Sequence, residues 1–119
     1  MSYSPSKTPA TEETALPEQV SHLYARLFNH QLRSASCHFL APDRLAIVLD
    51  DFATPAERLL LSSGKEALTQ EWREKLNHIF QRRLRETLET SLQQPVEDLI
   101  SQYQLRTGRI SILVVFGKH

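Results

Sequence analysis

One cysteine, three glycines and no excess of either charge mark this sequence of 119 residues, and each shortage excludes something. With Cys37 alone, no intramolecular disulfide can form, which fits a reducing compartment. Glycines at 64, 108 and 117 are too few for a loop whose backbone amides cradle phosphate. Fourteen Lys plus Arg offset fourteen Asp plus Glu, so no global field gathers nucleic acid or anionic membrane. The longest apolar run, Ile110 to Phe116, is interrupted by Ser111 and falls well short of the roughly 20 residues that span a bilayer. MSYSPSKTPATEET at the N-terminus has no apolar signal core. These absences lead us to expect a cytoplasmic protein without direct membrane insertion, any membrane role coming through a partner.

What is present is a pattern. Residues 1–15 are rich in Ser, Thr and Pro and read as a disordered tail, because they bury too little to offset their ordering entropy. Residues 16–119 read as a single domain. Leu16, Val20, Leu23, Tyr24, Leu27 and Phe28 recur at helical spacing, predicting a first helix over about 17–30 with Pro17 in its first turn. Alternation in SASCHFL and LAIVLDD, joined through Ala-Pro-Asp-Arg, predicts a β-hairpin. Leu68, Trp72, Leu76, Ile79, Phe80, Leu84, Leu88 and Leu92 then form a stripe at steps of three and four, a long amphipathic helix ending near Gln93, before Pro95. Residues 96–103 have helical spacing, and local periodicity favours a helix there; a strand over them would instead turn back through Leu105–Gly108 and complete a hairpin with RISILVVF, a buried strand. The expected fold is α+β, in the order α-ββ-α-ββ, with the long helix packed on a small antiparallel sheet.

Chemical motifs are scarce. Ser63-Gly64-Lys65 resembles the end of a phosphate loop, but Leu59 stands where the upstream glycine belongs and Glu66 where Ser or Thr would hold magnesium. The same stretch fits a helix start: Thr54 as N-cap, Pro55 at the first helical position and Glu57 closing a capping box. Gly64 then either ends a short first helix or kinks a continuous one. Cys37 and His38 point to opposite faces of a strand, and His22 and His30 lie about 12 Å apart along a helix, so neither pair makes a metal site. Asp50, Asp51 and Glu57 read as charges complementing the helix start rather than as catalytic carboxylates. Neither a Gly-x-Ser-x-Gly elbow nor a His-Glu-x-x-His pair occurs. We expect no enzyme and no cofactor. Arg82, Arg83 and Arg85 sit beside Glu86 and Glu89, a mixed pattern that reads as a solvated face rather than an RNA site.

With these elements in place, LAIVLDDFATPAERLL followed by a glycine and ALTQEWREKLNHIF resembles the MpsC-type domain family of bacteria. NHQLRSASCHFLAPDRLAIVLDD is similar to that family's opening hairpin and TGRISILVVF to its closing strand; the likeness covers about residues 18–116. The chain departs from it in a short C-terminal hairpin and in Asn29-His30-Gln31, where others often carry glycine. The resemblance implies a small domain with a Thr-Pro-x-Glu helix start, a long helix bearing an arginine, here Arg73, and a C-terminal strand pair, on which ground we assign residues 96–103 to strand. It also implies an accessory role beside a sodium-translocating, membrane-potential-generating system linked to inorganic-carbon uptake. It supplies no catalytic residues. The expectation is therefore a non-enzymatic adaptor that binds another protein or peptide and dimerises. Its contact face would be Leu68, Trp72, Leu76, Ile79 and Phe80. The alternative is a domain that senses a small molecule or anion through Arg73, His30 and Asp50.

Overall fold

The computed structural model describes residues 9–117, with side chains from residue 15 onward. Residues 1–8 of the expected tail lie outside the described residues. The elements are α1 (Pro9–Phe28), β1 (Ser34–Ala41), β2 (Arg44–Asp50), α2 (Pro55–Ser62), α3 (Glu66–Leu92), β3 (Val96–Gln104) and β4 (Arg109–Phe116). The expected α+β fold is present, including β3, whose local spacing had favoured a helix. Pairing with β4 from Val96 to Gln104 decides the matter, because Leu99, Ser101 and Tyr103 then share the core face. The α1 helix begins at Pro9, not near residue 17, and carries Pro17 within it. A helix already nucleated by the packed turn at Leu16 extends at little cost, so segment 9–15 needs no apolar side chains of its own to be helical.

The four strands form one antiparallel sheet in the order β1-β2-β4-β3. Ala41 pairs with Arg44, so Pro42 and Asp43 form the two-residue turn of the first hairpin. One face of the sheet carries Cys37, Leu45, Ile47, Leu49, Ile110, Ile112 and Val114, all buried. Over it lie α1, with Leu16, Val20 and Tyr24, and the C-terminal part of α3, with Phe80, Leu84 and Leu88. The layers are thus one sheet and one row of helices. No helix among the described residues is long and apolar enough to cross a membrane.

The segment between β2 and α3 resolves the two possibilities left open for Gly64. It ends a short helix. Ser63 is the C-cap, Gly64 has φ +76°, the Gly64 amide donates to the Leu61 carbonyl at 3.1 Å and the Lys65 amide to that of Leu60 at 2.9 Å. That pair of bonds is a Schellman closure, and its left-handed position suits glycine because a Cβ would be strained there. The cap at Thr54 therefore starts α2, while the long helix α3 begins afresh after the turn.

The stripe read on the long helix also divides. Each step of four residues advances 400°, about 40° beyond a full turn, so a run of such steps winds around the rod. Leu68, Trp72 and Ile79 are half-exposed (50%, 53% and 50%), whereas Phe80, Leu84 and Leu88 are buried. In the N-terminal half of α3 the inward face is carried by Thr69, Arg73 and Asn77. As a correction to the expected contact face, Phe80 is 1% exposed and belongs to the core, and Leu76 lies at the boundary.

Candidate functional site

The polar side chains turned inward by α3 meet α2 in the most heavily built polar cluster among the described residues. Thr54 caps α2 as expected: the Glu57 amide donates to Thr54 Oγ1 at 3.4 Å, and the Thr54 amide donates to Glu57 Oε1 at 3.0 Å. The Thr54 hydroxyl donates to the same carboxylate oxygen at 3.0 Å. Glu57 has a second task. Arg73 Nε donates to Glu57 Oε2 at 2.7 Å and its Nη2 donates to Oε1, a side-on bidentate pair with both side chains 0% exposed. The remaining guanidinium donors reach Asn77 Oδ1 and the Phe52 carbonyl, each at 3.5 Å.

Aromatic rings complete the enclosure. The Arg73 guanidinium carbon lies 4.6 Å from the centre of the Phe52 ring, 5.5 Å from Phe28 and 6.0 Å from Tyr24. Tyr24 stacks edge-on with Phe28 at 4.5 Å and Phe80 at 5.3 Å, and its hydroxyl donates to the Phe52 carbonyl at 2.7 Å. A delocalised, weakly hydrated guanidinium suits such a box better than an ammonium would.

The electrostatics follow from these contacts. Burial works to raise the Glu57 carboxyl, but the Arg73 hydrogen bonds and the Thr54 amide outweigh it and hold it below the ordinary carboxylate range. Burial likewise opposes the Arg73 charge, and the Glu57 hydrogen bonds more than restore it, so Arg73 is raised. Tyr24 is pushed up to about 12 by burial, with Arg73 opposing. His30, whose Nε2 donates to the Asp51 carbonyl at 2.7 Å, is lowered by burial and then by the nearby Arg58 charge. Among the described residues, every buried side-chain nitrogen or oxygen has a hydrogen-bond partner. The cluster is closed upon itself, a polar core rather than an open receptor.

The three polar residues expected to form a ligand group are not brought together. Arg73 is occupied by Glu57. His30 stands beside Tyr24, with ring centres 6.3 Å apart. Asp50 lies on the opposite face of the sheet, accepting from Arg109 Nε at 2.8 Å and from the Ser34 hydroxyl at 2.9 Å, which lower its pKa in that order. Sequence reading named Glu57 and Arg73 separately and missed their pairing. The usable signal was an arginine one turn from Thr69 and one turn from Asn77, a polar row beside an apolar stripe. No three His, Cys, Asp or Glu side chains among the described residues are placed to hold a metal ion.

A two-layer α+β domain with a capped short helix locked to a long one by a buried Arg–Glu pair is the class this structure defines. The chain matches, over residues 9–118, the family model described as Na+-translocating membrane potential-generating system (MpsC). It belongs to the MpsC family. No curated protein and no solved structure matches it.

Proposed function

We propose that this chain is a non-enzymatic accessory protein that dimerises and binds another protein. The observation that carries the reading is the arc of Leu68, Trp72 and Ile79 on α3. These side chains stand half-exposed beside a fully satisfied polar core, with exposed Leu59 on α2. Large apolar groups grouped on one arc favour a protein surface over water. Trp72 is of the residue type that anchors such contacts. The dimer uses this arc, and the bound protein is sought in a membrane system of the kind the family description names, inorganic-carbon uptake being the narrower form of the proposal. The alternative of an anion sensor built on Arg73, His30 and Asp50 loses its support, since all three are engaged by protein groups in two separate places.

Affinity purification from a native membrane extract tests the reading, with the intact chain and a Trp72→Lys variant as baits. A specific protein recovered by the intact chain and strongly depleted with the variant supports it, because losing the dimer removes bivalent capture. No specific protein, or equal recovery by both baits, overturns it.

A further inference from the structure

The second surface of interest adjoins the exposed arc of α3 and shares Ile79 with it. Strand β3 closes the sheet, bonded to β4 on one side only, so its other side presents unpaired backbone groups. Alongside it runs α3, and between them is a groove of about 670 Å³ whose lining includes Ile79, Arg82, Arg83, Arg85, Asp98 and Leu99. Arg82, Arg83 and Arg85 form no ion pair among the described residues. Glu89, one turn beyond Arg85, is turned away, accepting the Val96 amide at 2.7 Å. The groove is thus lined by three arginines and one acidic residue, Asp98.

Resting on the adaptor reading, we propose that this groove binds an extended acidic segment of the partner protein by strand addition to β3, with alternating acidic and apolar residues. The alternation comes from the pleat. Helices cover the face of β3 that carries Leu99, Ser101 and Tyr103, while the opposite face carries Asp98, Ile100 and Gln102. A strand added at this edge sends every second side chain toward α3, where Arg82 and Arg85 await carboxylates. The intervening side chains fall on the outer face beside Ile100, which is 55% exposed and opposite Leu113. A peptide backbone satisfies the edge's donors and acceptors. A nucleic acid does not, and the neutral chain offers a polyanion no wider field.

The test uses fluorescence anisotropy with a capped, fluorescein-labelled octapeptide of alternating Glu and Val and the intact protein. Saturable binding is expected. The Arg82→Glu/Arg85→Glu double variant should weaken it about tenfold; both side chains are exposed, and an unchanged melting midpoint shows that the variant folds. Octapeptides N-methylated at all Glu or at all Val positions separate strand addition from charge alone: one set should lose binding and the other keep it. Amide exchange should slow at residues 98–104 on peptide addition. Equal binding of the Lys–Val octapeptide, equal tolerance of both N-methylated sets, or binding of oligouridylate in place of the Glu–Val peptide overturns the proposal. Absence of octapeptide binding also overturns it while leaving the adaptor reading intact, because that reading stands or falls on partner capture by the Trp72 bait.

Discussion

Arg73 and Glu57, sixteen residues apart on two different helices, grip each other side-on with neither side chain exposed to water. The same carboxylate that closes the capping box of α2 thereby ties that helix to α3. Removing one partner leaves the other charge buried without compensation. Glu57→Leu or Arg73→Met alone should each destabilise the domain by about 3–5 kcal/mol in urea unfolding. Combining Arg73→Met with Glu57→Leu should recover much of that loss, since no unpaired charge then remains. Additive losses in the double variant would show that the pair does not act as a unit.

The cap itself makes a smaller prediction. Thr54→Ala removes the hydroxyl that accepts the Glu57 amide and should lower stability by about 1 kcal/mol. Because α2 is a separate short helix, the loss should be local. Amide exchange should speed up across residues 55–62 and remain unchanged in the C-terminal half of α3. Uniform acceleration through both helices would contradict the break at Gly64.

His30 gives the domain a pH dependence. Its folded-state pKa lies below the unfolded value of about 6.5, so on acidification the unfolded chain takes up the proton first. This contribution to stability is complete above about pH 6.5 and is lost as pH falls toward the folded value. The urea midpoint of the native chain should therefore drop between pH 7.5 and 5.5, and His30→Gln should flatten that part of the curve. Glu57 adds a second loss at lower pH: its depressed carboxyl stabilises fully above the unfolded value of about 4.3 and less as pH falls below it. An unchanged midpoint slope in His30→Gln would remove His30 from the account.

The exposed arc on α3 predicts an oligomer. Light scattering at micromolar concentration should give twice the chain mass of 13.7 kDa for the intact protein. Trp72→Lys should give a monomer with its melting midpoint little altered, because Trp72 is half-exposed and holds no core contact in place. A monomer for the intact chain would eliminate the dimer from the proposed function.

Local rules carried much of the fold. The capping box at Thr54–Glu57, the Pro-Asp turn between β1 and β2 and the alternation of β2 and β4 are each decided by neighbours in the chain, so they were readable residue by residue. Strand β3 was readable only through the family resemblance, because its own spacing favours a helix and pairing with β4 overrides it. The site was harder. The stripe from Leu68 to Leu92 looked continuous because steps of three and four all count as one face, while their accumulated drift carries Leu68 and Leu88 to faces about 160° apart.

The sequence by itself determined which elements form and where most of them start and stop, since capping, turn chemistry and periodicity act over a few residues. Only the tertiary structure decided which face of α3 is core. Glu57 is brought to α3 by the chain reversal at Gly64, so an arginine that looked free for a ligand is buried and paired, and the apolar Leu68 and Trp72 beside it are left facing water. Burial of a charge depends on a partner arriving from elsewhere in the chain, and no local pattern encodes that arrival.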